Sequence, residues 1–261
     1  MIYETRRLSR AIVRVPSSNI HEGITSVDLG KPDYQKALVQ HSAYVAALSA
    51  AGLKVHVLPP KEGFADSCFV EDVALLTPSC AIISRPAAPS RANEVLFDDM
   101  KEMLLRFYTS FREISAPGTL EPGDIINVAD HYHIGISGRT NEEGANQMQA
   151  FLQEFGYSAS TVPVKEILHL KTGAMYIGKN NILLSGEFRG RPEFAKYRCI
   201  DVDDDEAYAA NALYINNILI MAKGYPKLKK ALKSLDYDII ELEMSEYKKI
   251  DGSLTCLSLR F

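Results

Sequence analysis

Residues 120–128, LEPGDIINV, place turn residues directly before a short apolar run. Pro-Gly-Asp is typical of a turn, and the isoleucines and valine that follow are typical of a strand. Polar signatures stand at similar strand-to-loop positions elsewhere: FVED (69–72), HLKTG (169–173), YAAN (208–211) and DGSLTC (251–256). From Asp72 the steps are 52, 45, 42 and 45 residues, to Asp124, His169, Asn211 and Cys256. Such periods indicate repeated units, and five units arranged radially would bring all five signatures to one axis.

Helical and strand patterns alternate throughout the chain, which predicts an α/β fold. The predicted helices are residues 33–51, 93–108, 141–155 and 227–234. The predicted strands are residues 11–15, 55–58, 73–77, 81–84, 125–128, 133–136, 181–184, 215–221, 239–243 and 254–261. No Pro/Gly/Ser-rich linker divides them, so we expect residues 1–261 to form a single domain.

Composition narrows the class of protein. A net charge of -4 does not favour nucleic acid, which usually attracts a basic surface. The start of the chain is basic but lacks the apolar core of a signal peptide, and no apolar run approaches the ~20 residues that span a bilayer. The four cysteines are widely separated, as expected of reduced thiols. We therefore expect a cytoplasmic protein that binds neither nucleic acid nor membranes.

Carboxylates cluster in the stretch ADSCFVED, which contains Asp66, Glu71 and Asp72. A solvated loop is the ordinary interpretation, because most carboxylates are exposed. The alternative is a cation site, since grouped carboxylates accept several N–H bonds from a planar guanidinium. Glu121 has an ordinary interpretation too, as part of a turn, but turn chemistry explains the Pro-Gly-Asp that follows and not the acid itself.

His169 and Cys256 are candidates for proton transfer and nucleophilic attack. His169 lies in an apolar stretch, where a hydrogen-bonded core histidine is the ordinary interpretation, yet histidine is also the side chain best suited to proton transfer near neutrality. Cys256 is either a small buried hydrophobe of a final strand or an exposed nucleophile at a loop-to-strand transition. His131 and His133 do not predict a metal site, because no third ligand stands nearby and a short strand explains both.

Arg91 and Arg139 belong to predicted loops, where surface charge is the ordinary interpretation. As a pair they are suited to holding a carboxylate by bidentate hydrogen bonds. A nucleophile, a base, an orienting acid, grouped carboxylates and two arginines together fit one small-molecule substrate. That substrate is an amino acid with a cationic guanidinium at one end and a carboxylate at the other.

The chain resembles the dimethylarginine dimethylaminohydrolase family, and most closely its short bacterial members. The motifs that carry the resemblance run along essentially the whole chain in the order EGITSVDLGKPDY, FVEDVALL, RPAAPSR, LEPGDI, GISGRTNEEGA, LHLKTG and KIDGSLTCLSLRF. The resemblance implies the five-bladed α/β-propeller of the guanidine-modifying (pentein) superfamily, with several strands and one helix in each blade. It also implies hydrolysis of Nω-methylated L-arginine to L-citrulline and methylamine or dimethylamine, through a covalent cysteine-thiouronium intermediate and without a metal or other cofactor.

The resemblance also implies a role for each matched residue. Cys256 corresponds to the nucleophile, His169 to the catalytic histidine and Glu121 to the acid that binds that histidine. The residues implied to contact the substrate are Ile24, Asp66, Glu71, Asp72, Arg91, Arg139 and Ile250. Among them Asp72 is expected at the guanidinium, the two arginines near the substrate carboxylate, and Ile24 in a mobile loop, residues 21–26, that covers the pocket.

One residue departs from the family pattern, and three alternatives stay open. Pro122 stands where many relatives have glycine, so we expect a stiffer turn after Glu121. An arginine deiminase or a citrulline hydrolase would use the same chemistry, although deiminases are longer. A non-catalytic binding protein of the same propeller architecture would lack the cysteine and histidine. Short members of such families often form dimers, so a homodimer is a further expectation.

Overall fold

The computed structural model describes residues 7–261, and within them the chain forms five three-stranded sheets. Residues 1–6, part of the basic start of the chain, lie outside the described residues. In chain order the strands are β1 (Arg10–Arg14), β2 (Lys54–Leu58), β3 (Ala74–Leu76), β4 (Ala81–Ile83), β5 (Phe111–Glu113), β6 (Ile125–Val128), β7 (His131–Ile136), β8 (Ser158–Pro163), β9 (Ala174–Tyr176), β10 (Asn181–Leu184), β11 (Arg198–Asp201), β12 (Leu213–Ile215), β13 (Ile218–Ala222), β14 (Asp238–Leu242) and β15 (Leu259–Arg260).

All five sheets, here called blades, share one plan. The first strand is antiparallel to the second, and the second is parallel to the third, in the orders β3-β4-β5, β6-β7-β8, β9-β10-β11, β12-β13-β14 and β15-β1-β2. The fifth blade joins the two ends of the described chain, because β15 pairs with β1 through Ala11 opposite Arg260 and Ile12 opposite Leu259. The first strands of all five blades line one central cavity of about 800 Å³. The repeated units inferred from the sequence are therefore confirmed as the blades of an α/β-propeller.

In the described residues four helices connect parallel strands of one blade, which need a crossover rather than a tight turn, and two shorter helices lie between blades. The helices are α1 (Tyr34–Ala50), α2 (Asp98–Leu105), α3 (Glu142–Glu154), α4 (Leu170–Gly173), α5 (Pro226–Lys233) and α6 (Ser245–Lys248). Local sequence fixes where the longest begin: the Asp33 side chain accepts from the backbone N–H of Lys36 at 2.8 Å, and Asn141 caps α3 in the same way. In the β9-β10-β11 blade two 3-10 turns, Gly186–Phe188 and Pro192–Phe194, replace the crossover helix.

Three predicted elements differ from the structure. The helix expected over residues 93–108 is only α2, because Phe97 is extended and separates α2 from a 3-10 turn at Glu94–Leu96. The strand expected over residues 215–221 is a hairpin of β12 and β13, since Asn216 and Asn217 adopt positive φ angles of 49° and 77°. The final strand is just β15, because a 3-10 turn at Thr255–Leu257 precedes it.

Apolar residues fill the space in five clusters of buried side chains, with β-strand residues in each. His131 and His133 belong to β7, where they bind Ser158, Ser160 and Tyr197. Burial and neighbouring charges lower the pKa of His133 to about 3. Both histidines are thus explained by hydrogen bonds of a strand. None of the helices in residues 7–261 combines the length and apolar character needed to cross a membrane.

Candidate active site

The five polar signatures meet at one end of the propeller axis, because each ends within five residues of the first strand of its blade. One short turn carries each signature: Val70–Val73, Pro122–Asp124, α4, Asp204–Ala210 and Thr255–Leu257. A pocket at this end is lined by nine of the ten site residues predicted from the sequence: Ile24, Asp66, Asp72, Arg91, Glu121, Arg139, His169, Ile250 and Cys256. Phe69, Leu168, Asp251 and Gly252 complete its lining.

His169 and Glu121 form a buried hydrogen-bonded pair, with 2.8 Å between the His169 Nε2 and the Glu121 Oε2. Burial alone would lower the pKa of His169, but the charges of Asp124, Glu121 and Asp72 and the bond to Glu121 raise it to about 9. Burial alone would raise the pKa of Glu121, yet the bond from His169 and the nearby arginines hold it below its ordinary value. At neutral pH the pair is therefore an imidazolium and a carboxylate.

Cys256 lies half-buried in the Thr255–Leu257 turn, with its Sγ 3.3 Å from the Oγ of Ser253. Burial, together with the charges of Glu71 and Asp72, raises the pKa of Cys256 to about 11. The thiolate is the nucleophilic form of cysteine. At neutral pH Cys256 is therefore a protonated thiol, and a cation placed beside it would favour the reactive thiolate.

Asp72 and Asp66 place carboxylates in the pocket, and both are buried. Asp72 accepts from the backbone N–H of Gly123 at 3.0 Å and from Arg91 Nη1 at 2.6 Å. Asp66 accepts from the backbone N–H of Ile24 at 3.1 Å, and burial raises the pKa of its carboxyl. Two carboxylates thus face a pocket that suits a cationic group.

The two predicted arginines lie in different surroundings. Arg91 is buried and already bonded, since its guanidinium also binds Glu94 and the carbonyl of Phe69. Arg139 is half-buried, and its Nη1 lies 3.4 Å from Glu121 Oε1. Arg139 is therefore the more accessible cation for a substrate carboxylate, while Arg91 fixes Asp72.

The structure does not bring Glu71 to this pocket. Its carboxylate instead binds Lys171 Nζ at 2.7 Å and Arg260 Nη2 at 2.8 Å, and it lines the central cavity. Successive residues of a 3-10 turn point about a third of a turn apart, so Glu71 and Asp72 face different ways. Of the three expected carboxylates, two therefore line the pocket, and the charge of Glu71 still raises the pKa of Cys256.

The ligand atoms of Asp72, Glu121 and His169 lie within 4.8 Å of one another, close enough to surround a cation. Each of these residues already has a hydrogen-bond partner, because Asp72 binds Arg91 and His169 binds Glu121. The high pKa of His169 further disfavours a metal ion, which needs a neutral imidazole.

The sequence prediction missed four residues of the pocket lining and two buried residues beside it, Asp124 and Asn211. Asp124 accepts from the backbone N–H of Leu170, next to His169, at 2.9 Å, and Pro122 is the buried first residue of the Pro122–Asp124 turn. Asp251 accepts from the backbone N–H of Ser26 at 2.6 Å. Asp124 and Asn211 stand within the repeated signatures, so the period that defined the blades was the signal that could have found them.

Guanidine-modifying enzymes combine this propeller with a cysteine at one end of its axis, and the fold and pocket place the chain in that class. A family model described as "N,N dimethylarginine dimethylhydrolase, eukaryotic" matches residues 28–189. The N(G),N(G)-dimethylarginine dimethylaminohydrolase of Pseudomonas aeruginosa is 49% identical over 96% of this chain and 98% of that protein. The corresponding protein of Streptomyces coelicolor is 32% identical over 96% of each. The chain belongs to the dimethylarginine dimethylaminohydrolase family.

Solved structures agree with this assignment. A cysteine-to-serine variant of the Pseudomonas aeruginosa enzyme, complexed with citrulline, superposes with a TM-score of 0.96 at 47% identity, over 98% of this chain and 100% of that one. The N-terminal domain of ArgZ, an arginine dihydrolase of cyanobacteria, superposes with a TM-score of 0.85 at 18% identity, over 96% of this chain and 97% of that one. The second likeness shows the fold alone.

Proposed function

We propose that this protein hydrolyses Nω-methylated L-arginine to L-citrulline and methylamine or dimethylamine, with Cys256 as the nucleophile. The observation that carries the proposal is the pocket itself, which combines a thiol, an imidazolium–carboxylate pair and two carboxylates. Family membership supports the same chemistry, since the relative at 49% identity is a dimethylarginine dimethylaminohydrolase. The protein is accordingly a hydrolase that acts on a guanidino group.

Substrate binding prepares the nucleophile. The guanidinium of the substrate binds beside Asp72 and Asp66, and Arg139 holds the substrate carboxylate. The carboxylates that raise the pKa of Cys256 are then offset by the positive charge of the substrate. The thiol loses its proton to solvent, and the thiolate stands beside the planar carbon that it attacks.

His169 moves the remaining protons. As the sulfur–carbon bond forms and the carbon–nitrogen bond breaks, the His169 imidazolium donates a proton to the departing amine. Cys256 now carries a thiouronium. Neutral His169 then takes a proton from water, and the hydroxide adds to the thiouronium carbon. The carbon–sulfur bond breaks as the added hydroxyl group loses its proton to solvent, which releases citrulline and the thiolate. One water is consumed, and Glu121 keeps the imidazole oriented throughout.

The substrate is tested by incubating the protein separately with asymmetric dimethylarginine, monomethylarginine, arginine and citrulline, and following products by mass spectrometry. We expect citrulline from the methylated substrates, and a loss of at least about 1,000-fold in Cys256→Ser. Cys199→Ser is the matched control, because Cys199 is an exposed thiol outside the pocket, and it should keep parental activity.

The other possible outcomes of this experiment would each contradict a different part of the proposal. Turnover of plain arginine alone would identify a deiminase, and loss of citrulline would identify a citrulline hydrolase. Either would overturn the proposed substrate and keep the mechanism. No turnover of any of the four would overturn the proposal that the protein is an enzyme of this class. The alternative would then be a propeller that binds its ligand without reaction.

Location and assembly are further parts of the proposal. All four cysteines are free, which supports a reducing cytoplasm. We also propose a homodimer, tested by light scattering of the eluting protein, where a monomer mass at micromolar concentration would overturn it. The net charge of -4 supports a protein without nucleic-acid partners.

A further inference from the structure

The fourth polar signature, YAAN, ends at Asn211, which the proposed mechanism does not use. Asn211 directly follows the Asp204–Ala210 turn, stands two residues before β12, and is only 3% exposed. It does not line the active-site pocket. A buried polar side chain outside the pocket needs hydrogen-bond partners, and the partners of Asn211 point to its role.

The Asn211 amide makes three hydrogen bonds, and they join two catalytic segments. Its Nδ2 donates to the carbonyl of Lys171 at 3.0 Å and to Thr255 Oγ1 at 3.0 Å. Its Oδ1 accepts from the backbone N–H of Thr255 at 3.0 Å. Lys171 lies in α4, two residues after His169, and Thr255 directly precedes Cys256. One side chain therefore ties the segment of the proton carrier to the segment of the nucleophile.

The equivalent residues of two other blades show why an amide stands here. Asp72 accepts from the backbone N–H of Gly123, and Asp124 accepts from that of Leu170, so each carboxylate links its turn to the turn of the next blade. Asn211 makes the same forward link to Thr255 but also donates, which a carboxylate cannot do. A third carboxylate here would add to the charges that already disfavour the Cys256 thiolate.

We propose that Asn211 is a positioning residue for the reaction, which holds the turn of Cys256 in register with the segment of His169 by an uncharged bridge. The proposal rests on the proposed function. The size of the expected effect follows from how steeply reaction rates depend on the geometry of the reacting groups. A displacement of about 1 Å can lower the rate about 100-fold. Ground-state binding should change little, because Asn211 does not line the pocket.

Alanine substitution tests positioning against general stability. Asn211→Ala should lower kcat by about 10- to 100-fold, counted per folded protein, with KM within about threefold of the parent. Asn181→Ala is the matched control, since Asn181 is also 3% exposed and donates to Tyr237 at 2.7 Å, outside the pocket. The control should lose thermal stability and keep kcat within about twofold.

Aspartate substitution tests whether the bridge must be uncharged, by an assay that does not depend on substrate turnover. The rate of Cys256 alkylation by iodoacetamide is followed against pH, and peptide mapping separates Cys256 from the exposed Cys199. Asn211→Asp should move the midpoint for Cys256 at least about half a pH unit higher, whereas Asn181→Asp should not move it. Because this readout needs no substrate, it answers even if the proposed function fails.

Thr255→Val covers the case in which the Asn211 variants do not fold. It keeps the backbone N–H that donates to Asn211 Oδ1 and removes only the Thr255 hydroxyl, so a several-fold loss of kcat is expected. Parental kcat and an unchanged alkylation midpoint, in whichever of these variants folds, would overturn the proposal. An equal loss of kcat in Asn181→Ala would overturn it as well.

Discussion

At the scale of single residues, the carboxylates near Cys256 and His169 favour the protonated form of both side chains. Burial and the nearby carboxylates raise the pKa of Cys256 to about 11, which keeps the thiol protonated. Nearby carboxylates raise the pKa of His169 to about 9 against the effect of burial, which keeps the imidazole protonated. The imidazolium is the form that the leaving amine requires. The thiol is the unreactive form of Cys256. The positive charge of a bound substrate favours the thiolate, so the cysteine of the substrate-free enzyme is protected from side reactions.

Glu121→Gln should move the alkaline limit of activity to lower pH. The bond to Glu121 and its charge raise the pKa of His169, so their loss lowers that pKa and the imidazolium disappears earlier as pH rises. The measurement is kcat/KM between about pH 6 and 10, which reports the free enzyme. Glu154→Gln, at an exposed carboxylate paired with Arg112, is the control. An alkaline limit that stays at the parental pH would contradict this role of Glu121.

Glu71→Gln and Asp72→Asn should differ in their effect on KM. Glu71 faces Lys171 and Arg260 and not the pocket, so its loss should leave KM within about threefold while lowering the alkylation midpoint of Cys256. It should also lower the melting temperature, because the buried Lys171 and the half-buried Arg260 lose their partner. Asp72→Asn should raise KM at least about tenfold. A comparable rise of KM in Glu71→Gln would show a direct contact with the guanidinium.

At the scale of elements, the loop over residues 21–26 is hydrogen-bonded to two carboxylates of the pocket lining. The backbone N–H of Ile24 donates to Asp66, and that of Ser26 donates to Asp251 at 2.6 Å. Asp251 adopts a positive φ of 54°, which is uncommon for a residue with a side chain. Two backbone N–H groups of this loop therefore bond to carboxylates of the pocket.

Asp251→Gly should release one side of this loop. Glycine suits the positive φ of the position, so the change removes the bond to Ser26 without straining the backbone. We expect faster hydrogen exchange in residues 21–26 and a KM about 3- to 10-fold higher. Asp236→Gly, at an exposed residue with a φ of 60°, is the matched control. Unchanged exchange in the loop would show that Asp251 does not hold it.

Element boundaries show where local sequence is sufficient. Helices α1 and α3 begin at side-chain caps that the sequence displays, Asp33 and Asn141, and their predicted bounds agree closely with the structure. The adjacent asparagines at residues 216 and 217 are also typical of a hairpin turn, but the sequence prediction placed them in one strand. The extended conformation of Phe97 has no such local signal, because packing of its ring against Phe64 and beneath Arg14 and Lys61 is tertiary.

At the scale of the whole molecule, the five-fold repeat of the signatures was predictable, and so was the meeting of nine site residues. The direction of each side chain around the axis was not, because it depends on how one turn packs against the next. Glu71 faces the central cavity because Lys171 and Arg260 lie there. Arg91 is bound inside the protein because Glu94 and Asp72 flank it. Lys171 and Arg260 lie 100 and 189 residues from Glu71 in the sequence, and Asp72 lies 19 residues from Arg91, so the local sequence does not display these contacts.

Closure of the ring by β1 and β15 leads to the prediction that residues 1–261 unfold as one domain. Each blade shares its buried contacts with its neighbours, so loss of one exposes the next. Urea unfolding should give coincident transitions by circular dichroism and by tyrosine fluorescence, the chain having no tryptophan. Two separated transitions would contradict a single domain.

The central claim is that Cys256 forms a covalent bond to the guanidino carbon of a methylated arginine. Acid quenching of the enzyme during its first turnover of asymmetric dimethylarginine, followed by peptide mass spectrometry, tests it most directly. The account predicts an adduct equal to the substrate less dimethylamine, on the peptide that contains Cys256, and none in Cys256→Ser. Citrulline formed at parental rate by Cys256→Ser, or an adduct on any other residue, would contradict it.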